Sequence, residues 1–194
     1  TSAPVSIVVS DRPVVALSQP SPGTTFATGT TIPLEATATD SHGGVQTVQF
    51  YDGAILLGQD TSAPYQFLWA GASAGSHALT AIATDTYGLS STSAPVSIVV
   101  SDRPVVALSL PSPGTTFATG TTIPVEATAT DSHGGIQTVQ FYDGATLLGQ
   151  DTSSPYQFSW ASASASSHTL TAIATDSYGL SSTSAPVSIV VSDR

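Results

Sequence analysis

Aspartate and histidine carry most of the acid–base and metal chemistry this sequence offers. Cysteine and lysine are absent from its 194 residues, and three arginines stand against thirteen acidic side chains. Asp11, Asp40 and Asp85 return 91 positions later as Asp102, Asp131 and Asp176. Several carboxylates at one place suit a hard cation such as calcium, which prefers oxygen ligands. The dense Asp-x-Asp-x-Asp spacing of strong calcium loops is missing. Asp40 in TDSHGG and Asp85 in TDTYG are also good turn formers, because an aspartate can bond its own backbone two residues on. Two readings therefore stand: calcium at a domain junction, held by Asp11, Asp40, Asp85, Asp102, Asp131 and Asp176, or structural turns with no cofactor required.

The histidines are His42 and His77, repeated as His133 and His168. In a sandwich whose second strand ends at His42 and whose sixth begins at His77, the two lie at opposite poles. They cannot share a metal within one domain. A pairing of His77 with His133 across the junction is one reading, and a solvated or turn-capping histidine is the other. Asp52, in a hairpin turn at the far pole, is a further candidate for that junction. No cysteine nucleophile, serine elbow or phosphate loop is identified, so no enzyme is expected. Tyr65, Phe67 and Trp69 share one strand face and are expected to be buried. Tyr51 and Tyr87 are expected outside the core and are too scattered for a sugar platform.

These residues must be positioned by a repeated unit. TSAPVSIVVSDR occurs at residues 1, 92 and 183, and only ten positions differ between the two copies of the 91-residue period. This is a tandem array. The organisation expected is a leftover last strand of a preceding repeat (1–11), repeat 1 (12–102) and repeat 2 (103–194). Apolar residues alternate with period two, and turn residues interrupt about every 8–12 positions, which is the all-β sandwich signal. Seven strands per period are expected, among them TIPLEATATD, the hairpin VQTVQFYDGAILLG, PYQFLWA, HALTAIATD and STSAPVSIVVS. Residues 1–10 would then be disordered or paired with a neighbouring molecule, since an unpaired apolar strand invites pairing.

Composition narrows the function. A net charge of −10 argues against nucleic acid, which needs a basic face. No apolar run reaches the length of a membrane span, so no membrane insertion is expected. Arg12 and Arg103 each precede proline, bonds that trypsin-like proteases cleave poorly; compositional drift is one reading, and a chain exposed to extracellular proteases is the other.

VQFYDGAILLGQDTSAPYQFLWA, followed by HALTAIATDTYGLSS and VSIVV, resembles the bacterial Ig-like repeat. The resemblance covers nearly every residue of each period. It implies two seven-stranded Greek-key β-sandwiches arranged end to end, and a place in a large extracellular or surface-anchored bacterial protein such as a repetitive adhesin. The function expected is a structural spacer that holds a functional tip away from the cell, with neighbouring repeats of the same chain as partners and the fragment itself a monomer. A strand of ten to twelve residues spans roughly 35–40 Å, so each repeat would add about that reach. The alternative is an adhesive or carbohydrate-binding module acting multivalently.

Overall fold

The computed structural model of the chain describes residues 4–5 and 9–193. It divides into two compact units, Thr1–Val100 and Ser101–Arg194. Both are built from strands alone, and no helix among the described residues is long and apolar enough to cross a membrane. The expectation for residues 1–10 falls largely on 1–3 and 6–8, which lie outside the described residues. Pro4, Val5, Val9 and Ser10 belong to no strand.

The first repeat comprises β1 (Val14–Gln19), β2 (Thr25–Ala27), β3 (Ile32–Thr39), β4 (Val45–Asp52), β5 (Ile55–Asp60), β6 (Tyr65–Trp69), β7 (Gly75–Asp85), β8 (Ser90–Thr92) and β9 (Val96–Ser101). The second repeats the order as β10 (Val105–Leu110), β11 (Thr116–Ala118), β12 (Ile123–Thr130), β13 (Ile136–Asp143), β14 (Thr146–Asp151), β15 (Tyr156–Trp160), β16 (Ser166–Asp176), β17 (Ser181–Thr183) and β18 (Val187–Ser192). One sheet of the first repeat runs β1-β3-β6. The other runs β2-β9-β7-β4-β5, with β8 against β7. The second repeat has the same two sheets. Nine strands per repeat replace the seven expected. The additions, β2 and β8 with their copies, are three residues long and pair at the margins of the larger sheet.

Alternation decides which side chains enter the core. Along β3, Ile32, Leu34 and Ala36 are buried while Pro33 and Thr37 face out. Val48 and Phe50 on β4, Leu79, Ala81 and Ala83 on β7, and Ile98 and Val100 on β9 meet them from the opposite sheet. Burying a large apolar side chain contributes about 1.5–3 kcal/mol, and each repeat has its own such cluster. The copies differ where this packing permits. Leu34 and Val125 are both buried, a conservative exchange, whereas Leu68 is 68% exposed, so its exchange for Ser159 costs the core nothing.

The β4–β5 hairpin closes through Gly53 at φ 54°, a backbone region that suits glycine. A register shift between Phe50 and Tyr51 then sets Gly58 opposite Phe50. Phe67 stacks on Phe50 with ring centroids 6.3 Å apart, and its ring fills the space where a Cβ of residue 58 would stand. Gly149 meets Phe158 in the same way. Gly58→Ala and Gly149→Ala are each expected to destabilise their repeat by about 1–3 kcal/mol through overpacking, measured by urea unfolding, whereas Leu68→Ser is expected to be neutral.

Candidate functional site

Polar side chains with unusual surroundings gather at the two poles of each sandwich. Antiparallel pairing of β1 with β3 sets Val14 opposite Thr39, so the chain enters beside the loop that follows β3. Loops 40–44 and 85–89 meet there: Thr86 N–H donates to Gly44 O at 3.3 Å and Thr86 Oγ1 to Gly43 O at 2.7 Å. In the second repeat Ser177 Oγ donates to Gly134 O, which explains why threonine and serine interchange at this position.

The entrance carboxylates bind backbone. Asp40 Oδ1 accepts from the N–H groups of His42 and Gly43 at 2.9 and 2.7 Å. Asp131 does the same for His133 and Gly134. Asp85 is fully buried, and its Oδ1 accepts from Tyr87 N–H and Leu89 N–H, both at 2.8 Å. Asp176 copies it with Tyr178 and Leu180. Asp11 and Asp102 touch these turns from the entering chain, through side chains and not through backbone N–H groups. Asp11 Oδ2 accepts from Ser41 Oγ at 3.2 Å, and Asp102 Oδ2 from Ser132 Oγ at 2.7 Å. His42 and His133 lie beside them, 3.4 and 3.0 Å from the respective carboxylates, and are substantially exposed. Three carboxylate oxygens, Asp40 Oδ2, Asp131 Oδ2 and Asp176 Oδ2, are buried without a hydrogen-bond partner. Among the described residues, no group of three or more histidine or acidic side chains is arranged to hold a metal ion.

Backbone donors hold the Asp40 carboxyl below its ordinary range, Gly43 N–H first and His42 N–H next. Asp60 and Asp151, after the hairpins, are lowered likewise, chiefly by the N–H groups of Gln66 and Gln157 respectively.

The opposite pole corrects the sequence reading of the histidines. His77 and His168 are neither solvated nor turn caps. They are buried at 9% and 6% exposure. His77 Nδ1 lies 2.7 Å from Asp52 Oδ2 and its Nε2 lies 2.8 Å from Ser73 O. The second repeat forms the same pairs, His168 with Asp143 at 2.7 Å and with Ser164 O at 2.9 Å. Asp52 is thus committed inside its own repeat, and its Oδ1 also accepts from Ala78 N–H at 3.3 Å.

The motif reading also needs correction here. Residues 71–75 read GASAG, the Gly-x-Ser-x-Gly spacing of a nucleophile elbow, and Ser73, His77 and Asp52 meet. They do not form a catalytic triad. The ring nitrogen that would serve as base is bonded to the main-chain oxygen of Ser73, and the stretch is a loop between two strands rather than a strand–turn–helix. In the second repeat Ser162 and Ser166 replace both glycines.

Tyr65 is buried and Phe67 and Trp69 pack against the core, while Tyr87 is 53% exposed in its loop. A groove on the outer face of β1-β3-β6 is lined by Gln19, Pro33, Glu35, Gln66 and Leu68. Leu110 and Ser159 stand at the positions of Gln19 and Leu68 in the second repeat, so the copies do not share one lining.

Removing the buried acceptor at Asp85 or Asp176 leaves two part-buried N–H groups of the turn without their partner. Asp85→Ala and Asp176→Ala are each expected to cost about 1–3 kcal/mol by urea unfolding. A carboxyl whose folded pKa is depressed stabilises above its unfolded value and loses that contribution as pH falls through the folded value. Stability is therefore expected to decline as the pH drops below 3.8, followed by circular dichroism in an acid titration.

The bacterial Ig domain family matches residues 13–81 and again residues 104–172. Among solved structures, the Clostridium thermocellum CbhA fibronectin(III)-like modules are 30% identical, with 93% of this chain and 94% of that chain covered at a TM-score of 0.58. An I-band fragment of titin is 14% identical, with 94% and 66% covered at 0.56. The three N-terminal domains of the bacteriophage RB49 outer capsid protein Hoc are 9% identical, with 94% and 70% covered at 0.54. These last two likenesses are of fold alone. No curated protein matches the chain. Domains of the matching family are generally non-catalytic and typical of extracellular bacterial proteins. The chain belongs to the bacterial Ig domain family, as two tandem copies of that domain.

Proposed function

We propose that the chain is a spacer: repeated rigid modules in the stalk of a long extracellular bacterial protein, a surface adhesin, that hold a functional tip away from the cell surface. The observation that carries this reading is how the larger sheet is closed. β11 pairs with β18 in parallel, Thr116 opposite Val190 and Ala118 opposite Ser192. Backbone bonds run from Gly114 N–H to Ser188 O at 2.8 Å and from Val190 N–H to Thr115 O at 3.0 Å. Gly23 with Ser97, at 2.8 Å, and Val99 with Thr24, at 3.1 Å, correspond in the first repeat. The chain enters a repeat beside the end of β3 and leaves it at the end of β9, where Val100 pairs with Gly75 at the other pole. Tension applied to the two ends of a repeat therefore runs along the strand axes. It loads several ladder bonds together in shear instead of opening them one at a time.

Near-identity of the copies also supports a role in which length matters. An adhesive module acting through its surface is supported less well, because the exposed groove residues change between copies. Small-angle scattering tests the spacer directly. End-to-end repeats give a maximum dimension of about 80 Å or more, twice the reach of one sandwich, and a rod-like profile. A compact or freely jointed pair contradicts the reading.

A second reading concerns the entrance carboxylates of each repeat, Asp11, Asp40 and Asp85 with their copies Asp102, Asp131 and Asp176: they bind calcium. The unpartnered, buried oxygens of Asp40, Asp131 and Asp176 support it, since carboxylate oxygen is the ligand calcium prefers. The absence of three converging ligands among the described residues weighs on the side of plain turn formation. A melting temperature that rises in millimolar calcium over chelator supports binding, and identical melting in both removes it.

A further inference from the structure

Each repeat buries a histidine between two groups that can only accept hydrogen bonds. His77 faces a carboxylate at Nδ1 and a backbone carbonyl at Nε2, at 2.7 and 2.8 Å. A neutral imidazole has a single N–H. It can satisfy one of these acceptors, and it then turns a lone pair toward the other. Only the imidazolium donates to both. His168 has the same two acceptors, Asp143 and Ser164 O, and in addition Ser166 Oγ at 3.0 Å from Nε2, a hydroxyl that can donate to a neutral ring, so the demand for an imidazolium is strictest at His77.

The position of this ring matters to the fold. Asp52 ends β4 and His77 lies near the start of β7, both in the larger sheet. Ser73 belongs to the loop that follows β6, a strand of the smaller sheet. Trp69 of β6 meets the His77 ring edge-on, with centroids 5.0 Å apart, and Trp160 meets His168 at 4.9 Å. The histidine therefore ties the two sheets together at the pole where the chain leaves. Asp52 is the titratable group that bonds it; the packed β6 side presents an indole and the loop a carbonyl. The sequence has no lysine, and Arg12 and Arg103 are engaged with Ser90 O and Ser181 O at the entrance poles of their repeats, so at His77 the imidazolium supplies the cation.

We propose that His77 and His168 are protonated latches: each repeat holds a proton when this pole is closed and loosens there when rising pH removes it. The electrostatics agree with the geometry. Burial alone pulls the His77 pKa down, and the bonds to Asp52 and Ser73 O overcome it, so the net shift is upward. For His168 burial is likewise overcome, by Ser164 O and then Asp143. A histidine whose folded pKa is raised contributes its full stabilisation below the unfolded value, 6.5, and loses it as pH climbs through the folded value. The latch does not depend on the spacer reading.

Trp69 and Trp160 are the two tryptophans of the chain, and each touches a latch. Protonated imidazole quenches indole emission, so fluorescence reports both sites. Titrating the intact 194-residue protein from about pH 5 to about pH 9 is expected to raise the emission with a midpoint above 6.5. The urea midpoint is expected to fall over the same span. In the double variant His77→Gln, His168→Gln the emission step disappears and the urea midpoint stops following pH in that range. An emission midpoint at or below 6.5 in the unaltered protein overturns the proposal, as does an unchanged step in the double variant. Should the variant fail to fold, the midpoint of the unaltered protein decides alone.

Discussion

Face-to-face burial of two sheets is the contact on which the rest of each repeat depends. Ile32 and Leu34 from the smaller sheet meet Val48, Phe50, Leu79 and Ile98 from the larger one, and all are essentially inaccessible to water. A domain of this size without a disulfide has little else to draw on. The seam sets strict limits on its own composition. Glycine at 58 and 149 makes room for the rings of Phe67 and Phe158, and alanines on β7 and β16 let the sheets approach. The differences between the copies respect those limits: the buried Leu34/Val125 exchange is conservative, and changes of polarity such as Gln19/Leu110, Ile55/Thr146 and Leu68/Ser159 fall where the side chain is exposed.

Once the seam is formed, its open ends need closing, and this chain closes them with carboxylates. Lysine and cysteine, the usual sources of surface ion pairs and staples, are absent. Asp40 and Asp85 instead gather the N–H groups of the entrance loops. At the other end Asp52 holds the histidine and the start of β7. Charge-assisted bonds to backbone are stronger than neutral ones, which lets few charged residues order long loops. The same economy explains why a single ionisable ring can matter to each pole.

The strands were legible from the sequence because their alternation is long enough to read: β3 and β7 show it over most of their length, and the paired copies repeat it. β2 and β8 were not. Three residues cannot display a period of two, and these strands exist because β9 offers a partner to β2 and the stretch of β7 beyond β9 offers one to β8. The aspartate turns at 40 and 85 were legible from local spacing, since their bonds span two to four residues. The Asp52–His77 pair was not, because it joins residues 25 apart and depends on the β4–β7 register that sets Asp52 opposite Leu79. With that register in hand, a hairpin-end aspartate beside the start of β7 would have pointed to His77. Burial of His77 follows from the same alternation that buries Leu79, which places residue 77 on the inward face.

A spacer of this kind requires each sandwich to resist tension as a unit, through strands loaded along their axes. Stretching the chain end to end in a single-molecule force experiment measures that property directly. Two separate unfolding steps are expected, each resisted by a distinct force peak and each releasing about 270 Å, the extended length of one period less its folded span. A single combined step, or extension without a resisting peak, would contradict it.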